Sequence, residues 1–450
     1  MKSAYFALVF LVFFGLGAFG QSNVGISSNQ LQAAPVVERS ALSALPEKLP
    51  GVRSATTPQG TLSFASGAIY NTGGFQAEQV VAADLNGDGK ADLVVVNSCG
   101  SSNACSGDGT VGVLLNDGNG AFDTAVPYTT NGWLTQQVAI GDVNGDGKPD
   151  IVVVNQCASN PGTTSCSTTG NVAVLLGNGD GTFQAAVTYD SGGYQSFAVA
   201  IADVNGDGKP DLLVVNYCGS SNACSGDGTV AVLLGNGDGT FQSSVTYDTG
   251  AAESDAIAVG DVNGDGKPDL IVANLCQVGT CDLEGDESGS VSVLLGKGAG
   301  IFQQTANYVP DAIGTNAVAV ADVNGDGKLD IAASSSCAGP RADECGTGSV
   351  LVFLGNGDET FQTGQSLSLS ALGAANLVIA DFNGDGNLDL AISSICAPDG
   401  ACPNSASGPS PSSAGVLLGN GDGTFQAVQY FGSVGSSFGL APGLAVGDLT

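Results

Sequence analysis

Residues 197 to 216 read Phe-Ala-Val-Ala-Ile-Ala-Asp-Val-Asn-Gly-Asp-Gly-Lys-Pro-Asp-Leu-Leu-Val-Val-Asn: an apolar run, a nine-residue acidic loop, then a second apolar run. The loop, Asp-x-Asn-Gly-Asp-Gly-x-x-Asp, begins at Asp84, Asp142, Asp203, Asp261, Asp322 and Asp381, and a seventh copy opens at Asp448. A period of about sixty residues is the mark of a repeat architecture, which grows as a single body. The 450 residues are therefore expected to form one large repeat domain instead of two or three ordinary ones.

The rest of the repeat can be read outward from the loop. After the second apolar run come the pair Cys218 and Cys224, a third apolar run at Val230 to Leu234, the turn Gly-Asn-Gly-Asp-Gly-Thr at 235 to 240, and a fourth run from Phe241 to Tyr247. Short runs rich in Val, Ile and Leu, punctuated by Gly, Asn and Asp at fixed offsets, indicate antiparallel hairpins, and no segment after the N-terminus has a helical period. The first run of each repeat favours Ala, Gly and Val, which suits a crowded inner strand around an axis. The second is nearly all apolar, as in Ile151 to Val154, which implies burial on both faces. The fold class expected is all-β, a β-propeller of four-stranded antiparallel blades, with repeats near 76–133, 134–194, 195–252, 253–313, 314–372 and 373–439 and a partial one at 440–450.

Residues 60 to 70 match the fourth run of later repeats, so an orphan outer strand precedes the first blade, while Leu440 to Asp448 is an inner strand without its second and third partners. The expectation is a seven-bladed ring with six blades complete and the last truncated, lacking about thirty residues by the spacing of the full repeats.

The acidic loop carries the chemistry. Side-chain oxygens fall at positions 1, 3, 5 and 9, and position 7 is placed to offer a backbone carbonyl. The candidate ligands are Asp84, Asn86, Asp88, Lys90 and Asp92 in the first loop, and Asp142, Asn144, Asp146, Lys148 and Asp150 in the second. They continue with Asp203, Asn205, Asp207, Lys209 and Asp211, then Asp261, Asn263, Asp265, Lys267 and Asp269. The last two sets are Asp322, Asn324, Asp326, Lys328 and Asp330, and Asp381, Asn383, Asp385, Asn387 and Asp389. Hard oxygens presented from one tight loop suit Ca2+, about one ion per complete repeat, better than magnesium or a transition metal. The likeness to an EF-hand stops at position 12, where a Glu is expected and Val95, Val153, Val214, Val272, Ala333 and Ile392 stand. The bland alternative is a set of acidic turns, which six copies with four ligand positions held in each argue against. The second turn, as in Asn178-Gly-Asp180-Gly, has too few ligands for a metal and is read as a hairpin turn followed by a packing Phe: Phe122, Phe183, Phe241, Phe302, Phe361 and Phe425.

Composition narrows the function. A formal charge of -32 with no histidine excludes nucleic-acid binding by a basic footprint. Six divalent ions would bring that charge to roughly -20. Met1-Lys2-Ser3 and the apolar run to Phe19 read as a secretory signal over 1–20, cut before Gln21; the run is short for a retained anchor, and no other stretch suits a membrane span. Residues 21–58, rich in Ser, Asn, Gln, Ala and Pro, read as a flexible linker, leaving 59–450 for the propeller. Twelve cysteines fall in close pairs, Cys99/Cys105, Cys157/Cys166, Cys218/Cys224, Cys276/Cys281, Cys337/Cys345 and Cys396/Cys402, which with export argue for six local disulfides; zinc is the competing reading and fails on spacing and the absence of histidine. Phe75, Trp133 and Tyr194 each stand nine residues before a loop, in connections between blades, and are read as packing groups rather than sugar platforms.

These repeats resemble the FG-GAP and VCBS-like repeats of integrin-alpha-type β-propellers, on the acidic loop and on the turn Leu-Leu-Gly-Asn-Gly-Asp-Gly-Thr-Phe-Gln at 175–184, 233–242 and 417–426. The resemblance covers residues 60 to 450 and implies calcium loops between first and second strands on one face of the disc, with the cysteine loops on the other. The function expected is an extracellular, secreted adhesion or ligand-binding module for protein or carbohydrate. Two alternatives stand beside it, a polysaccharide lyase or other hydrolytic propeller enzyme and a structural region of a larger surface protein. No enzyme is expected from the residues: histidine-based nucleophile and general-base schemes are closed, and nearly all prominent carboxylates have a metal role. A non-repeated acidic or basic cluster on the cysteine-bearing face would favour the enzyme.

Overall fold

A computed structural model describes residues 67–434 except for 101–106, 119–120, 160–165, 167, 220–226, 277–287, 310–311, 339–346, 363, 370–372 and 395–411, together with Val12–Phe14 and Asn23–Ser27. Six four-stranded antiparallel sheets follow one another as the blades of a β-propeller, each with its strands in chain order from the axis to the rim. In blade one these are Phe75–Ala83, Asp92–Cys99, Thr110–Leu114 and Val126–Thr129. The later inner strands are Trp133–Gly141, Tyr194–Ala202, Ala252–Gly260, Ala312–Ala321 and Ala374–Ala380. The expected inner strand at 440–448 lies outside the described residues. Among the described residues no helix is long and apolar enough to cross a membrane.

The burial of each strand follows its composition. Asp92–Cys99 is buried along its whole length, as an apolar run covered on both faces requires, and the inner strands of Ala, Val and Gly are half-buried around the axis. The core accordingly lies in the seams: Val94, Val96, Val111 and Val113 of blade one pack against Val138, Ile151, Val153 and Leu175 of blade two. Toward the rim, Tyr128 of blade one meets Phe183 of blade two edge to face at 5.6 Å, and Tyr189–Phe241, Tyr247–Phe302 and Tyr308–Phe361 repeat the contact at the next three seams. The packing Phe predicted after the second turn is thus half of a pair whose Tyr comes from the preceding blade.

Gly67–Asn71 carries Tyr70, which makes this same contact with Phe122 of blade one at 5.5 Å, so the strand stands where a preceding blade's outer strand would. It pairs with Asn23–Ser27, which in turn pairs with Val12–Phe14. The stretch 21–58 was expected to be flexible throughout; the short alternation Asn-Val-Gly-Ile-Ser forms a strand because an outer strand without a sheet offers it unpaired amides and carbonyls. Val12–Phe14 falls in the apolar run expected to be a signal.

A buried polar belt crosses the second strands at Asn97, Asn155, Asn216 and Asn274. In blade four, Ser254 donates to the Asn274 carboxamide oxygen at 2.7 Å and the amide donates to Ser292 at 2.8 Å. Blade five has Ser335 there, and the cross-strand neighbours Thr315, Ser335 and Ser349 are all fully buried with no hydrogen-bond partner for their hydroxyls. Thr315 and Ser349 are the counterparts of Ser254 and Ser290, whose hydroxyls Asn274 engages, while Leu351 stands where blade four has Ser292; Ser335→Asn should therefore recover the bonds to Thr315 and Ser349. At about 1 kcal/mol per recovered hydrogen bond, the melting temperature should rise by roughly 2 °C; differential scanning calorimetry checks this, and a fall would mean that the site lacks room for the carboxamide.

Candidate metal centre

In blade three the loop closes on itself through backbone amides. Asp203 Oδ1 accepts from Gly206 N at 2.7 Å and Asp207 N at 3.2 Å, while Oδ2 accepts from Gly208 N at 2.8 Å. Asn205 Oδ1 accepts from Asp207 N, and Asp207 Oδ1 from Lys209 N. Gly206 and Gly208 have φ of 79° and 81°, a region that other residues enter at a cost. Val204, at position 2, is buried and fastens the exposed loop to the core. The same pattern recurs around Asp84, Asp142, Asp322 and Asp381, and with one bond fewer around Asp261. The oxygens at positions 1, 3 and 5 are therefore brought into one tight loop, and each keeps lone-pair capacity beyond the amides it accepts. Among the described residues no three His, Cys, Asp or Glu side chains make up a metal cluster by themselves. The donor set is a mixed one, with an Asn and a backbone carbonyl between the carboxylates, and such hard oxygens suit a divalent cation of the calcium type.

The ninth-position Asp does more than the ligand role read from the sequence. Asp211 is fully buried and brackets two segments: Oδ2 accepts from Val204 N of the loop at 3.0 Å, and Oδ1 accepts from Gly235 N of the second turn at 2.8 Å. Asp92, Asp150, Asp269, Asp330 and Asp389 make the equivalent pair of bonds. Burial pushes these carboxyls up, to about 6 for Asp269 and Asp389, against the two amides that hold them down; the loop's other carboxylates push the same way as burial. The sequence signal for the bracket was the glycine opening most second turns. A side chain at Gly235 would meet the Pro210 carbonyl at 2.0 Å.

Position 7 has two roles as well. The Lys side chains lie over the second turn of their own blade, where a side chain at Gly237 would touch Lys209 at 3.0 Å and one at Gly179 would touch Lys148 at 2.8 Å. Four of them pair with the position-5 Asp: Lys90–Asp88 at 3.7 Å, Lys148–Asp146 at 3.4 Å, Lys267–Asp265 at 2.9 Å and Lys328–Asp326 at 3.7 Å. These half-exposed pairs each contribute about 1 kcal/mol or less. All six lysines among the described residues, these with Lys209 and Lys297, are on this face of the disc.

The opposite face is built from the starts of the inner strands and the ends of the second strands, which carry Cys99, Cys157, Cys218 and Cys276. Cys157 and Cys166 form a disulfide, and Cys99, Cys218 and Cys276 are also disulfide-bonded; their expected partners, like the pairs Cys337/Cys345 and Cys396/Cys402, lie wholly or partly outside the described residues. Phe75, Trp133 and Tyr194 do not sit in connections: each opens an inner strand and pairs in register with Cys99, Cys157 or Cys218. Trp133 is buried against the Cys157–Cys166 bridge. The residue after each aromatic, Gln76, Leu134 or Gln195, has φ near 54°, and the register of the strand shifts within the next three residues.

Two carboxylates at that kinked edge escaped the sequence reading. Glu78 receives a hydrogen bond from Ser98 at 2.7 Å yet is pushed up to about 7 by burial, and Asp255 is pushed to about 7 by burial and by the neighbouring Glu253. The signal was visible: the six copies hold Glu78, Gln136, Phe197, Asp255, Asn316 and Ala375 at this position, the reverse of the loop's uniformity. Folded-state values above the ordinary carboxyl range mean that stability is lost as pH rises between about 4 and 7 and stays lost above it. The double variant Glu78→Gln/Asp255→Asn should match the wild type at pH 5 and melt roughly 3–6 °C higher at pH 8. A constant offset across that range in thermal melts would contradict it.

A family model for the FG-GAP-like repeat matches residues 103–153, 164–214, 222–272, 279–333 and 342–392, and a second for the FG-GAP repeat matches 77–114, 135–175, 197–233, 255–294 and 314–353. Phosphatidylinositol-glycan-specific phospholipase D of Rattus norvegicus is 30% identical over 171 residues, 34% of this chain and 20% of that protein. Human integrin alpha-IIb is 33% identical over 147 residues, 29% of this chain and 14% of that protein. The chain thus spans a fifth or less of the length of these relatives. Among solved structures, the rhamnogalacturonan lyase YesW aligns over 96% of this chain and 84% of its own at 12% identity and a TM-score of 0.42.

Proposed function

The chain belongs to the FG-GAP repeat family, and from that premise we propose that it is a secreted, calcium-stabilised propeller whose disulfide-bearing face binds an extracellular protein or carbohydrate. The contrast between the two faces carries this reading. On one face the loops at Asp84, Asp142, Asp203, Asp261, Asp322 and Asp381 repeat Asp, Asn, Asp and Asp at positions 1, 3, 5 and 9 and, one bond at Asp261 aside, the same hydrogen bonds, as a fold requirement does. On the other, equivalent positions differ from blade to blade, as recognition requires. Calcium would be held by the side chains at positions 1, 3, 5 and 9 and the carbonyl of position 7, where it supplies the charge that draws the carboxylates together.

Glycan and matrix-protein arrays in calcium buffer test the assignment. A ligand is expected whose binding is lost when Leu134 and Phe197 are changed to Ala and kept when Lys148 and Lys328 are changed to Ala. Binding that survives the first pair and fails with the second would place recognition on the other face.

A second reading has an observation in its favour. Glu78 and Asp255, with Glu253 beside the latter, are non-repeated acids on the disulfide-bearing face, and a carboxyl held near 7 is suited to general acid catalysis. A hydrolytic or lyase activity on a polysaccharide that disappears in Asp255→Asn would replace the binding-module reading.

A further inference from the structure

In blades three, four and six the second turn touches two acidic loops, its own and that of the blade before. In blade three the turn is joined to its own loop by the Asp211 bracket and by Lys209 lying across Gly237. The other side of the same turn faces blade two. A side chain at Gly239 would meet Leu176 of blade two at 2.9 Å and Cβ of Asn144, position 3 of that blade's loop, at 3.4 Å. The hydroxyl of Tyr189 in blade two donates to the Gly239 carbonyl at 3.4 Å.

The contact recurs around the ring. In the turn of blade four, Gly300 N donates to the carbonyl of Val204, position 2 of the loop in blade three, at 3.3 Å, and Gly300 O accepts from Tyr247 at 2.9 Å. In blade six, a side chain at Gly423 would meet Leu354 of blade five at 2.8 Å and Asn324 of its loop at 3.5 Å. Turn and preceding loop thus meet on one face at the seams between blades two and three, three and four, and five and six.

We propose that each second turn is a positioning element shared by two cation loops, so that the loops are mechanically linked to their neighbours and do not set their geometry independently. The proposal takes the cation reading given above as its ground, but the linkage is a property of the chain itself. The two glycines of one turn separate its two directions. Gly237, with φ of 79°, faces the home loop, and Gly239, with φ of 81°, faces the preceding one. Asn enters this backbone region more readily than other residues with a side chain, so Gly→Asn changes the contact at the smallest backbone cost a side chain allows.

Hydrogen exchange on the full chain, followed by mass spectrometry of peptides covering 142–150 and 203–211, decides it. In chelator, Gly239→Asn is expected to speed exchange in 142–150 roughly fivefold and leave 203–211 within about twofold, and Gly237→Asn the reverse. Adding Leu176→Ala to Gly239→Asn should recover most of the lost protection by making room. In a calcium titration, the midpoint for protecting the affected loop should rise by a similar factor. Equal effects on both loops, or none on either, would overturn the linkage. If the wild type gains no protection from calcium, the cation reading fails, while the comparison in chelator still decides whether the turn is shared.

Discussion

Asp211→Ala should lower the stability of the propeller by about 3–5 kcal/mol, because it strands two buried amides at once and opens a void where the carboxylate stood. Val204 N and Gly235 N both end on this side chain, and no water reaches it, since the residue is fully buried. Asp211→Asn keeps the shape but has one acceptor oxygen for two donors, so one amide must face the carboxamide NH2. It should recover only a minor part of the loss. For a propeller spanning roughly 370 residues, an unfolding entropy of about 2.1 cal/mol/K per residue converts this into a melting temperature about 4–6 °C lower. Calorimetry in calcium buffer is the measurement. An Asp211→Asn protein as stable as the wild type would show that ligation, and not the bracket, is what this residue is for.

Chelation should have a larger effect still. Ligand that binds only the folded state adds about 2.7 kcal/mol per site at a hundredfold excess over Kd, and six sites act on one cooperative body. On the same entropy scale, transfer from millimolar calcium to chelator should lower the melting temperature by roughly 20 °C. The direction is reinforced by the charge: three carboxylates per loop are offset by at most one Lys, against a formal -32 for the chain. A melt that does not respond to chelator would remove calcium from the account and leave the loops as self-closed turns, a state their amide bonds already support.

Most of the architecture could be read from period and composition, since both are consequences of repeating one unit. The fully buried second strands, the small residues at the axis and the Phe after each second turn all stand where Ile151, Val199 and Phe183 implied. What escaped was relational. Nothing local to Asp211 announces that its second oxygen reaches a turn 24 positions away, and nothing local to Tyr128 announces a partner in the next blade. Those facts belong to how units meet, which a period gives only in outline. The aromatic positions were misplaced for a related reason. Trp133 follows Gly132 and reads as loop, but Cys157 across the sheet extends the inner strand to include it. Glu78 and Asp255 share a position that differs from blade to blade, so the repeat does not single out an acid there and only the folded chain shows that they are buried acids.

The lysines have a practical consequence. Since the six in the described residues all lie beside the acidic loops, acylation of these amines will mark that side of the disc; Lys2 and Lys48 lie outside the described residues. A protein immobilised through these six amines will therefore be presented with its disulfide-bearing side outward. The same coupling would hold the loop side against the support, so a sensor made this way would report soluble partners well and metal exchange poorly.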